Sequence, residues 1–182
     1  MANTVATSQT GPGRADLTPI VAELRDVLAT LHGLLQQLTE LAGRKLDAMR
    51  RADTGDLQSC AAMEHRLLRD VSAKRKQREA ILARLAQSLH WPEAVTASLG
   101  EIADRLPEPF SSSIRAKNRA LREVADTLQQ KNRLAAAVAR NLHAHVRSIF
   151  AELAKANQEC VLYGPSGQHE QTSTDAWVDA VG

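Results

Sequence analysis

A chain of 182 residues has room for one domain, or for one elongated domain with tails. Aromatic residues make up 3% of it and the formal charge is +2. The first figure argues against a compact α/β enzyme core, and the second against a polycation built for nucleic acid.

Ala, Leu, Arg, Glu and Gln predominate instead. Those side chains lose little freedom in a helix, so an all-α fold of long helices with coiled-coil-like packing is the expectation. Cys60 and Cys160 form neither a disulfide framework nor a zinc spacing. No apolar run approaches the roughly 20 residues needed to cross a bilayer. The start, MANTVATSQTGPG, lacks the basic and apolar regions of a signal peptide, which makes the cytoplasm the expected compartment.

Residues 1–16 are rich in Ser, Thr, Gly and Pro and read as a disordered leader. Thr18-Pro19 then offers a cap followed by a proline at the first helical position. The stripe that follows runs through Ile20, Leu24, Val27, Leu28, Leu31, Leu34, Leu35, Leu38, Leu41 and Ala42. Steps of three and four that broad suit burial between helices. Asp53-Thr54-Gly55-Asp56 supplies a turn or a fresh cap.

A second helix, roughly Asp56 to His90, carries Leu57, Ala61, Leu67, Leu68, Val71, Ile81, Leu82, Leu85 and Leu89. Its stripe is interrupted by Lys74, Arg75, Lys76 and Arg78, whose stems can lie over apolar surface. A short connection between two such helices predicts an antiparallel hairpin. Trp91-Pro92 ends the run. One short helix is expected within 93–106 through Val95, Leu99, Ile102 and Leu106, and then Pro107 and Pro109 break the chain. Ser111, Ser112 and Ser113 offer caps for a third long helix reaching Asn157. Its stripe reads Ile114, Leu121, Val124, Leu128, Leu134, Val138, Leu142, Val146, Ile149 and Leu153, with Phe150 beside it. The helical signal stops at Tyr163-Gly164-Pro165, leaving 17–163 as the helical domain and 164–182 as a flexible acidic tail.

Charge is unevenly spread. Glu64 to Arg84 holds seven Lys/Arg against three acids, whereas 159–182 holds four acids and no Lys or Arg. A solvated face with internal salt bridges accounts for the basic stretch, which has neither interleaved aromatics nor a docking motif for nucleic acid. His143 and His145 stand two apart on a helix and cannot converge on one metal ion. Cys60 and Cys160 have no His/Asn constellation around them and read as packing residues. Gly164-Pro165-Ser166-Gly167 is no phosphate loop, since neither a strand nor a Lys-Ser/Thr pair frames it. No catalytic residue, metal or cofactor is therefore expected.

Three passages carry a resemblance. Leu38 to Met49 (LTELAGRKLDAM), followed by Asp53-Thr54-Gly55-Asp56-Leu57, is similar to the first helix and turn of the FlgN family of flagellar type III export chaperones. Leu121-Arg122-Glu123-Val124 through Lys131-Asn132-Arg133-Leu134 resembles that family's long later helix. Leu162-Tyr163-Gly164-Pro165-Ser166-Gly167 is similar to its Tyr-Gly closing. The resemblance covers roughly residues 20–167 and departs in the Pro-containing link at 91–110 and in the Trp-containing tail.

It implies a cytosolic chaperone that binds late hook-associated subunits of the hook–filament junction. Such a chaperone prevents premature assembly and delivers its subunit to the cytosolic domain of the flagellar export gate. Helix-in-groove binding serves that purpose without catalysis, nucleic acid or membrane insertion. On this reading Leu134, Val138, Leu142, Val146, Ile149, Phe150 and Leu153 form the client surface, and Tyr163 contacts the gate. Two other readings stand beside it: a coiled-coil adaptor or scaffold without an export role, and a nucleoid-associated protein using the basic stretch.

Overall fold

The computed structural model describes the backbone of residues 14–159 and the side chains of residues 17–156. Among these residues the fold is all-α, with no strand. The helices are α1 (Arg14–Arg50), α2 (Thr54–Ser88), α3 (Leu99–Arg105) and α4 (Phe110–Glu159), with a 3-10 turn at Pro92–Val95. The expected leader, the acidic tail, Cys160, Tyr163 and the 164–167 passage lie outside the described residues, apart from the leader's last three residues. The chain divides into two units, Met1–Val138 and Ala139–Gly182.

Helix α1 begins earlier than the Thr18-Pro19 signal suggests, and Pro19 lies inside it. Leu17 and Val21, 2% and 1% exposed, are the physical reason. Both join the core at this end of the molecule, so burial extends the apolar stripe one turn ahead of the proline.

The turn into α2 closes both helix ends. The Asp53 amide donates to the Ala48 carbonyl (3.0 Å) and the Ala52 amide to that of Met49 (3.2 Å), the paired bonds of a Schellman ending. Ala52 takes the left-handed position, with φ 53°. The Asp53 side chain then caps α2 by accepting from the Asp56 amide at 2.9 Å, so the expected cap is present. The Asp56 carboxylate in turn accepts from Arg44 (2.9 Å) and Arg51 (3.4 Å) near the end of α1.

The hairpin is antiparallel, with Lys45 paired to Glu64 near the turn and Arg84 to Glu23 at the far end. Along α2 the inward face steps Leu57, Cys60, Glu64, Leu67, Val71, Lys74, Arg78, Ile81 and Leu85, in alternating threes and fours. That is a seven-residue seam of coiled-coil type. The basic interruption in the stripe is therefore no gap: Lys74 and Arg78 occupy seam positions and are half-buried. Leu68 and Ala61, expected on this face, fall off the seam and are exposed.

Two apolar clusters fill the first unit. The larger joins Leu17 to Leu31 of α1, Ile81, Leu82 and Leu85 of α2, Ile102 and Leu106, and Ile114 of α4. The smaller joins Leu38 and Leu41 to Cys60 and Leu67, with Leu128 of α4 packed against them. Cys60, 1% exposed, is the packing residue its helical context predicts.

Between α2 and α4 the chain makes two short helical segments where one was expected. A second Schellman ending at His90 (φ 49°) stops α2, and Trp91 then lies 4.2 Å beneath the Arg105 guanidinium. Ser98 and Glu101 close a capping box at α3. The Ser98 amide, and then its hydroxyl, hold the Glu101 carboxyl below its ordinary value. Helix α4 starts before the serines expected to cap it. The Glu108 carboxylate instead accepts from the Ser112 amide at 3.3 Å, which leaves Ser111 free to be buried within the first turn.

Candidate functional site

Helix α4 has two regimes of burial. Up to Val138 its inward face steps Ile114, Leu121, Val124, Leu128, Lys131, Ala135 and Val138, all buried or half-buried. Lys131 crosses to α1 and donates to the Thr39 carbonyl at 3.1 Å. Its ammonium lies where a Cβ on Gly43 would come within 3.4 Å, so the glycine leaves it room. The thin stretch of sequence at Gln129 to Arg133 is thus a polar rung in the seam.

From Ala139 to Ala156, in the second unit, every residue is exposed. Leu142, Val146, Ile149 and Leu153 nevertheless continue in steps of four, three and four, and they are 46%, 47%, 44% and 55% exposed. Phe150 is the barest at 67%. These five share one side of a helix turn after turn. Leu134 is also exposed, for a different reason: Ala135 takes the buried seam position next to it. Val138 is half-buried at the end of the first unit. The expected client residues are therefore five on one bare stripe and two that lie apart from it.

An isolated helix has little stability of its own in water, and an uncovered leucine-isoleucine-phenylalanine stripe adds an unfavourable hydration term. Contiguous exposed apolar surface of this kind marks an interaction site. Its chemistry fits an amphipathic segment of another protein, laid along it with its own apolar face inward.

Elsewhere the two ends of the basic stretch of α2 form salt bridges, Glu64 with Lys45 and Arg84 with Glu23, but the Lys74–Arg78 cluster between them forms none, contrary to expectation. Lys74 donates to Gln77 at 3.0 Å, while Arg75 and Arg78 pair with no acid. Pairs one turn apart on an exposed helix gain only about 0.3–0.5 kcal/mol, too little to fix two long side chains. Arg75 and Arg78 instead line an apolar cleft, joined there by Arg122 of α4. Nothing in the sequence linked Arg122 to them, because only the packing of α4 on the hairpin brings the three together.

His143 and His145 are both exposed. Among the described residues no group of His, Cys, Asp and Glu could hold a metal ion, and no helix is long and apolar enough to cross a membrane. Searches of curated proteins and of solved structures returned no match. The model of the family described as FlgN protein matches residues 20–171. A stretch that long takes in nearly all of the hairpin, the link and the whole of α4, and the chain therefore belongs to the FlgN family of flagellar export chaperones, a chaperone family and not an enzyme family.

Proposed function

We propose that this protein works in the cytoplasm as an export chaperone for late hook-associated subunits. It holds the C-terminal segment of a hook–filament junction subunit on the stripe Leu142, Val146, Ile149, Phe150 and Leu153. The observation that supports this reading is the bareness of that stripe, on a helix that the family match spans. Apolar segments that order only on assembly would otherwise meet one another prematurely, and occupying them with a helix face prevents it. Delivery follows when Tyr163 contacts the cytosolic domain of the export gate, leaving the stripe to the client. Tyrosine suits such a contact, since a rigid ring gives large area at low ordering cost.

The test is co-purification with each hook-associated subunit, comparing the unaltered chain with a Leu142→Asp, Ile149→Asp double variant. One subunit should be retained by the former and lost by the latter. A folded protein that retains none of them would refute the reading. Tyr163→Ala should weaken gate binding alone, and unchanged gate affinity would remove that role.

A further inference from the structure

We propose that the first unit carries a second binding site, a cleft between α1, α2 and α4 that takes an acidic, apolar peptide segment of a partner protein. The cleft has a volume of 290 Å³. Its apolar surface comes from Leu28, Leu31, Leu35, Val71 and Leu121. Three arginines also line it, Arg75 and Arg78 from α2 and Arg122 from α4, and no acid does.

Arg78 is the decisive residue. It stands at a seam position of α2, and its Nε is shielded from solvent with no hydrogen-bond partner. A buried donor left unpaired costs about 1–3 kcal/mol, so a fold that retains one gains from an acceptor arriving later. Arg75 and Arg122 likewise form no ion pair, although Arg44, Arg51, Arg84 and Arg115 each find a carboxylate elsewhere in the same unit.

A ligand for this cleft must supply a carboxylate and an apolar group side by side. The planar edge of a guanidinium binds a carboxylate through two parallel hydrogen bonds, a geometry lysine cannot offer. The apolar floor gives no return to a sugar-phosphate chain, and it holds no aromatic ring on which a base could stack. A peptide with aspartate or glutamate beside leucine or phenylalanine meets both demands. This site is separate from the Leu142–Leu153 stripe and does not depend on its role.

The experiment uses the full chain and fluorescence anisotropy with a labelled helical peptide of leucine, phenylalanine and aspartate. Two comparison ligands accompany it: the same peptide with asparagine for aspartate, and laurate as a free anionic amphiphile. The aspartate peptide should bind at least about tenfold more tightly than its asparagine counterpart, the ratio expected from one charge-assisted contact. Arg78→Gln should cost a similar factor. So should Arg122→Gln, whose site is exposed and whose fold is not at risk. The Leu142→Asp, Ile149→Asp variant should bind the peptide as the unaltered chain does. Equal binding of the two peptides, arginine variants that bind normally, or loss of binding in the Leu142/Ile149 variant would each overturn the proposal. Tighter binding of laurate than of the aspartate peptide would overturn it too, and would assign the cleft to a lipid-like anion.

Discussion

At two helix ends the backbone asks for glycine and the sequence supplies something else. Ala52 and His90 hold φ values of 53° and 49°, where a Cβ crowds the following carbonyl at a cost of about 1–2 kcal/mol. Gly33, in the middle of α1, has the opposite mismatch: a Cβ there would meet nothing within 4 Å. Ala52→Gly should therefore stabilise the protein by about 1 kcal/mol, and Gly33→Ala by about 0.5–1 kcal/mol. The first gain corresponds to a rise of roughly 2–4 °C in a thermal melt of a domain this size, and the second to roughly 1–4 °C. A lower melting temperature for either would show that unfolded-chain entropy or local packing outweighs the conformational gain. The turn itself was legible, because Asp53 is a strong capping residue. The left-handed position was not, since alanine gives no sign of it and the nearby Gly55 draws attention to the wrong residue. Glu101 allows a pH test at the same scale. Its folded pKa is lowered by the capping box, so its stabilisation is present above the ordinary carboxylate value and is lost as pH falls through the folded one. Amide exchange at Ser98 should speed up on acidification relative to the base-line trend of its neighbours, and Glu101→Gln should abolish that extra dependence.

At the scale of the helices, the three long stripes and their breaks were legible because each helix buries a seven-residue repeat that the sequence shows directly. Two kinds of feature were hidden. Polar seam residues such as Lys74, Arg78 and Lys131 read as interruptions, although all three are half-buried on the seam and Lys131 donates to the Thr39 carbonyl. Nor does a stripe reveal whether anything covers it: Leu128 and Leu142 belong to one periodic pattern, yet the first packs on the hairpin and the second is bare. This contrast predicts different dynamics along α4. Backbone amides from 139 to 156 should exchange with solvent much faster than those around Ile114 and Leu121, because opening them breaks no tertiary packing within their unit. Equal protection along the whole helix would mean that the second half has a cover in solution. By the same reasoning Leu142→Asp with Ile149→Asp should change global stability by less than about 0.5 kcal/mol per site, as surface substitutions do.

Among the described residues two surfaces have contrasting physics, one bare and apolar, the other a cleft lined by unpaired arginines. Salt separates them. A contact made by Leu142, Val146, Ile149, Phe150 and Leu153 gains from removing apolar surface from water, which simple salt leaves nearly unchanged or slightly strengthens. A contact made by Arg75, Arg78 and Arg122 gains from opposite charges close to solvent, and ions screen it within about 8 Å at physiological strength and about 3 Å at 1 M. Calorimetric titration with a hook-associated subunit should therefore give an affinity that varies less than about threefold when sodium chloride rises from about 0.1 M to about 1 M, together with a negative heat-capacity change from apolar burial. The aspartate peptide should lose at least about tenfold over the same range. If the subunit instead shows the steep salt dependence, its recognition runs through the arginine cleft, and the α4 stripe has some other occupant. The Arg122→Gln variant then decides the matter, because it would flatten the salt dependence of subunit binding only if the cleft holds the subunit.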